Sequence, residues 1–245
     1  MKPIAVTPVN INADLGEGSG NDAAIMPFLH SCSIACGGHF GTARTMQQTV
    51  RLAKSKGVLV GAHPSFPDTV NFGRKLLTIT KAALSASILG QLLDFYNVCK
   101  TENCRVHHIK MHGALYNFSA KDAPTASAIV AAILKSGKRP VLYVPHNSIL
   151  HKKAENLLPL AFEGFIDRRY NDNGALVSRS LPNAVIKDPR AAWAQLHQML
   201  TKNSVTAHNG SVISLKANTF CIHGDHPDPV GILTYIYNKL NHFKP

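Results

Sequence analysis

The sequence predicts an α/β protein with a mostly parallel sheet. Two observations carry that expectation: seven short apolar runs alternate with longer stretches of helical period, and caps and glycines fall where one period gives way to the other. A chain of 245 residues suits one α/β barrel or two small domains. No internal repeat, low-complexity tract or linker divides it, so a single domain over residues 1–245 is expected.

The apolar runs place strands at 9–13, 33–36, 58–62, 106–111, 140–144, 161–166 and 219–222. Helical period occupies about 42–56, closed by Gly57 before the third strand. In the next helix Leu84, Ile88, Leu92, Phe95 and Cys99 recur every three or four residues and form one apolar stripe, behind Thr80 as N-cap. Further helices are expected at about 121–135, ahead of Gly137, and at about 188–202 and 228–241. Residues 167–188, "DRRYNDNGALVSRSLPNAVIKD", are polar and too long for an ordinary connection, which marks a functional loop.

Composition narrows the function. Hydrophobic residues make up 45% and charged residues 16%, the balance of a compact globular chain rather than a disordered one. The net charge of +12 is spread along the sequence, and its densest cluster, "SGKRP" at 136–140, has no interleaved aromatics, so nucleic acid is not an expected partner. An anionic small-molecule substrate or simple solubility accounts for the charge. The N-terminus, with Pro3 and Pro8, has no apolar run long enough for a leader or a membrane span, so the cytoplasm is expected. Five cysteines, an odd number without a second matching pair of zinc-type spacing, read as reduced and mostly buried thiols.

Six of the seven predicted strands end on ionisable groups. Asp14 and Glu17 follow the first, His39 the second, His63 the third, His112 the fourth, Asp167 and Arg168 the sixth, and His223 and Asp225 the seventh. In a parallel α/β fold the carboxyl ends of the strands share one face, and ligands bind there. Pro64 fixes the direction of His63, and the glycines before His39 allow close backbone approach to a ligand. Lys110 shares a side of its strand with His112 and suits an anionic group or an oxyanion. Asp14 and Glu17 fit a base and a metal ligand, or a simple turn. Asp22, beside Asn21, reads as a helix cap. His146 stands in reserve at the end of the fifth strand, while His107 and His108 begin a strand and so lie at the opposite end.

Three histidines with carboxylates match the ligand types of Zn²⁺, Mn²⁺ or Fe²⁺, although no HxxxH or HExxH spacing is present. The same groups run hydrolysis without a metal, with a carboxylate base, a histidine acid and a cation on the tetrahedral oxyanion. The residues alone therefore reach a hydrolytic or lyase-like enzyme acting on a small polar substrate. A GxxxxGK[ST] run and a GxSxG elbow are absent, which argues against a self-contained P-loop ATPase and an α/β-hydrolase triad.

The blocks "NADLGEG", "IACGGH", "GAHPSFPD" with "NFGR", "KMHGALYN", "DRRY" with "LVSRS", and "CIHGD" resemble, in order and approximate separation, those of the LamB/YcsF family, over about residues 10–225. The resemblance implies a seven-stranded parallel β/α barrel, TIM-like and similar to glycoside hydrolase and polysaccharide deacetylase barrels. It implies a hydrolase acting on a cyclic amide, opening the 5-oxoproline (pyroglutamate) lactam to L-glutamate while ATP is hydrolysed to ADP and phosphate. The 5-oxoprolinase subunits B and C are the implied partners, activating the lactam by phosphorylation, with ATP a cofactor of the assembled complex. That division of labour fits the missing P-loop. Block by block, the resemblance supports Asp14, Glu17, His39, His63, Lys110 and His112 as catalytic residues. It supports Asn71, Arg74, Tyr116, Asn117, Asp167, Arg168, His223 and Asp225 as substrate contacts.

The roles expected within that set are Asp14 or Glu17 as the base that activates water, His63 and His112 as proton-transfer groups, and Lys110 with Arg168 as an anion clamp. If a divalent metal binds, His39, His63 and His112 are the candidate ligands. The alternative activity is a metal-dependent amide hydrolase or carbohydrate deacetylase, and a binding subunit without chemistry is a third reading. A homo-oligomer is compatible with each of them. Where the family commonly reads "CGFHAGD" this chain has "CGGHFGT", so Gly38 and Phe40 exchange a large residue across His39, and Thr42 replaces an aspartate while remaining able to cap. Met111, Arg169 and Ser178 also depart from the usual pattern. These changes sit beside the candidate groups and bear on substrate detail more than on the reaction.

Overall fold

In the computed structural model, which describes residues 9–243, seven parallel strands close into a barrel, each paired with the next in chain order and the last with the first. They are β1 (Ile11–Leu15), β2 (Ser31–Ala35), β3 (Leu59–His63), β4 (Val106–Lys110), β5 (Val141–Val144), β6 (Leu160–Phe165) and β9 (Thr219–His223). Strands β7 (Ser204–Thr206) and β8 (Val212–Ser214) pair antiparallel as a separate hairpin. The helices are α1 (Asp22–Ile25), α2 (Ala43–Ser55), α3 (Lys81–Thr101), α4 (Gly113–Ser119), α5 (Ala123–Lys135), α6 (Ile149–Ala154), α7 (Pro189–Lys202) and α8 (Pro229–Leu240). The expected lack of an apolar leader concerns in part residues 1–8, which lie outside the described residues. Among the described residues no helix is long and apolar enough to cross a membrane.

Strand alternation sorts the barrel wall into two faces. Ile11, Ala13 and Leu15 of β1, Val60 and Ala62 of β3, and Phe220 and Ile222 of β9 are buried in the apolar core beneath the helices. The intervening positions turn into the barrel, where side chains of strands that are not neighbours meet. Ser31 Oγ of β2 lies 3.1 Å from Tyr143 Oη of β5, and Lys110 Nζ of β4 lies 2.9 Å from Asp14 Oδ1 of β1. The apolar face drives closure, and the polar face is left to fill the interior.

The helices follow their sequence signals. The α3 stripe of Leu84, Ile88, Leu92, Phe95 and Cys99 is buried, and Thr80 Oγ1 accepts the Ala83 N–H at 3.2 Å. Thr42 caps α2 by accepting the Thr45 N–H. Gly57 and Gly137 end their helices at φ 70° and 73°, where a side chain would be strained. Helices α4 and α6 and the β7–β8 hairpin carry no expectation from sequence, because six- and seven-residue helices and three-residue strands are too short to display a period. Asp22 does not cap its helix: Asn21 occupies the N-cap position, and Asp22 Oδ2 accepts the Gly16 N–H at 2.8 Å. Its carboxylate braces the turn that carries Glu17. All five cysteines are free thiols, buried except for the half-buried Cys104.

Candidate active site

Strand β1 runs two residues further than expected, so Asp14 lies within it, and β3, β4 and β9 end on His63, Lys110 and His223 themselves. A cavity of about 230 Å³ opens where these ends meet, lined by Asp14, Glu17, Arg74, Lys110, His112, Tyr116, Asn117, Arg168 and His223 among others. A larger cavity of about 1050 Å³ beside it shares Tyr116, Asn117 and Phe165, and is bordered by His146, Asn147 and Asn171. His146, held in reserve from sequence, thus belongs to the outer space.

One wall of the inner cavity is a carboxylate surrounded by imidazoles. Glu17 Oε1 lies 2.8 Å from His39 Nε2, 3.1 Å from His112 Nδ1 and 3.7 Å from His63 Nε2. The His63 Nδ1–H donates to the Lys110 carbonyl at 2.8 Å, and the His112 Nε2–H donates to the Phe72 carbonyl at 2.9 Å. Carbonyls only accept, so His63 Nδ1 and His112 Nε2 each carry a hydrogen. Burial raises the Glu17 carboxyl, but hydrogen bonds from His112 and His39 outweigh it and hold it well below the usual carboxylate range. Burial lowers His39 to about 4 against the opposing bond to Glu17, so this ring is neutral. His39 and His63 stand behind Glu17 rather than on the cavity surface.

The floor is a buried charge network. Lys110 Nζ pairs with Asp14 Oδ1 at 2.9 Å and with Glu163 Oε1 at 2.8 Å, and reaches Cys221 Sγ at 3.0 Å. Burial alone would depress the Lys110 ammonium, but the Asp14 carboxylate, with Cys221 and Glu163, raises its pKa well above the usual lysine value. Burial likewise raises Asp14, and the charges of His63 and Lys110 overcome it. Lys110 is therefore already neutralised by two carboxylates, which removes it from the anion clamp expected from sequence. Glu163 carries no expectation from sequence because it sits mid-strand, away from the strand-end positions.

On the strand beside β1, in register with Asp14, His223 donates both its N–H at 2.9 Å and its Nδ1–H at 3.0 Å to Asp167. Burial raises the Asp167 carboxyl, but the His223 charge and hydrogen bonds outweigh it and take it below the usual range. Asp167 fixes the ring, and His223 faces the cavity. Arg168 Nη2 donates to the Val177 carbonyl at 2.6 Å while its buried Nε has no partner. Burial, then the neighbouring charge of Arg179, lowers its pKa. Arg179 Nη1 and Arg74 Nη2 both reach Asp225 Oδ2 at the rim, the former at 2.9 Å. Arg179 lies in the "LVSRS" block but has no role among the contacts expected from sequence, and the loop of residues 167–188 is what delivers it. Asn71 does not reach the cavity, since its side chain donates to Asp68 Oδ1 at 3.0 Å.

The departures around His39 have a packing basis. A Cβ on Gly38 would stand 2.3 Å from Gln91 Oε1 and 2.5 Å from Ser65 Oγ, so a larger residue is shut out there. Phe40 fills the space over Gly18 instead, and its ring tilts against Phe72 at 6.0 Å. The bulk has moved from one side of His39 to the other while His39 keeps its bond to Glu17.

A model of the LamB/YcsF family matches residues 9–244. The chain is 41% identical over 238 residues to the A-type 5-oxoprolinase subunit from Staphylococcus haemolyticus, covering 95% of each. It is 42% identical over 226 residues to the protein of the same name from Bordetella pertussis, covering 90% of each. The crystal structure of a lactam utilization protein from Thermus thermophilus matches with a TM-score of 0.87 at 34% identity, covering 96% of both chains.

Proposed function

Because the chain belongs to the LamB/YcsF family, we propose that it is the A-type subunit of a 5-oxoprolinase and opens the 5-oxoproline lactam to L-glutamate. The observation that carries this reading is the inner cavity of about 230 Å³, whose lining combines Arg168 and Arg179 with Asp14, Glu17 and His112. A five-membered lactam bearing one carboxylate matches that size and that mix of charge. ATP hydrolysis to ADP and phosphate is assigned to the complex with subunits B and C, which would activate the lactam, and the reaction is placed in the cytoplasm.

Ring opening forms one C–O bond and breaks one C–N bond. Arg168, whose buried Nε has no partner, receives the substrate carboxylate, a role that a guanidinium suits, while Arg179 stays paired with Asp225 at the rim. Asp14, kept ionised between Lys110 and His63, takes the proton of the attacking water. His223, oriented by Asp167, supplies a proton to the departing nitrogen.

Glutamate release from 5-oxoproline, measured for the chain alone and then with subunits B and C, tests the reading. Release is expected only in the mixture and only with ATP, and Asp14→Asn should reduce it about 10²–10⁴-fold without loss of fold. A mixture that releases none, or is indifferent to Asp14→Asn, would overturn it, and acetate release from an acetylated carbohydrate would favour the deacetylase alternative.

A further inference from the structure

We propose that Glu17, His63 and His112 form a site for one divalent metal ion of the zinc type. The site lies in the wall of the inner cavity and deepens the function above, resting on it only for the reaction the ion would serve. Glu17 Oε1, His63 Nε2 and His112 Nδ1 stand 3.1, 3.1 and 3.7 Å apart. The point equidistant from all three lies roughly 1.9 Å from each, against zinc–ligand bonds of about 2.0–2.2 Å, so an ion slightly out of their plane meets all three with the side chains where they are. Two histidines and one glutamate are a donor set that zinc accepts in open, catalytic sites.

The hydrogen bonds behind the three atoms point the same way. The Lys110 and Phe72 carbonyls hold the outer N–H of His63 and His112, so the inner ring nitrogens face each other at 3.1 Å and face the Glu17 carboxylate. Such a buried meeting of donor atoms needs a proton or a metal cation among them. Phe72 presents its carbonyl from φ 54°, a left-handed conformation that a residue with a side chain adopts only when its surroundings impose it. His39 donates to Glu17 Oε1 from the other side, and metal-bound carboxylates are commonly oriented by such a bond. The neighbouring group of Asp14, Cys221 and His223 is a poorer choice, because the Lys110 ammonium already stands 2.9 Å from Asp14 and 3.0 Å from Cys221.

Zn²⁺ and Co²⁺ are titrated into the chelator-stripped chain, with bound metal counted after dialysis and Co²⁺ absorption bands recorded, neither readout requiring turnover. One ion per chain is expected in the wild type and in His223→Gln, none in Glu17→Gln or His112→Gln, and affinity about 10–100-fold weaker in His39→Ala. Far-ultraviolet circular dichroism checks that each variant is folded, and the wild-type titration stands without them. A wild type that binds no ion stoichiometrically overturns the proposal, the triangle then holding a proton, as does a folded Glu17→Gln that keeps its ion. Glutamate release by a complex whose chain binds no metal would sink this inference and leave the function standing. Stoichiometric binding without glutamate release would support the site and sink the function.

Discussion

Two polar layers share the barrel interior, and they differ in charge. Towards the amino ends of the strands the layer is neutral: Ser31 meets Tyr143 at 3.1 Å, Ser33 meets His108 at 3.1 Å, and Asn12 Nδ2 donates to Thr219 Oγ1 at 2.8 Å. His108 also stacks on Tyr143 with ring centres 4.2 Å apart. Towards the carboxyl ends, Lys110 pairs with Asp14 and Glu163, with Asp14 and Lys110 lining the inner cavity and Glu163 the outer one. Neutral groups that bond across the barrel give a rigid floor at little electrostatic cost, whereas buried charges hold only as a complete set. The lower layer closes the barrel, and the upper layer keeps its fields directed at whatever enters.

The comparison is broken most severely at Lys110. Lys110→Met leaves Asp14 and Glu163 buried without their shared cation, and removing one partner of a buried pair costs about 3–5 kcal/mol. Urea unfolding should show that loss, and the double variant Lys110→Met with Glu163→Gln should recover part of it because one carboxylate is then neutral. A single variant as stable as the wild type would mean that the upper layer is not a network. The substitution reads on folding first, so it cannot serve as a clean test of anion binding.

A smaller effect is expected in the lower layer. A Cβ on Gly61 would stand 2.3 Å from His108 Nε2, inside a ring fully buried and stacked on Tyr143. Gly61→Ala must push that ring aside, an overpacking cost of about 1–3 kcal/mol. The urea midpoint should fall while turnover per folded molecule is retained. Lost turnover in a folded Gly61→Ala would show that the two layers are mechanically coupled.

The upper layer is legible in sequence wherever it coincides with a strand end. An ionisable residue after an apolar run stands out, and this is the signal that marks Asp14, His63, Lys110 and His223. Glu163 lacks it, since Phe162 and Gly164 flank it and no boundary sets it apart; alternation along β6, which places Glu163 and Phe165 on the same face, is the signal that identifies it. Arg179 belongs to a loop, and a loop residue's position depends on tertiary contacts that no period encodes. Lys110 has the expected place and a different task, because its partners come from strands distant in sequence. The lower layer is legible only at His108, whose place early in its strand sets it at the end away from the site; its serines and tyrosine sit inside runs whose apolar neighbours dominate the pattern, and what makes them a layer is closure of the barrel.

The mildest test is Tyr143→Phe. It deletes the hydroxyl that meets Ser31 Oγ at 3.1 Å and leaves the ring, with its stacking on His108, in place. One neutral hydrogen bond is lost without a cavity, and a net cost of about 0.5–1.5 kcal/mol follows. Ser31 can turn its own hydroxyl to another acceptor, which keeps the cost towards the lower end. A urea midpoint lowered by that amount, with glutamate release by the complex unchanged, fits a floor that is neutral and separate from the chemistry. A cost equal to that of Lys110→Met would mean that the lower layer also depends on a charge, with the Tyr143 hydroxyl as its partner, and the distinction between the two layers would fall.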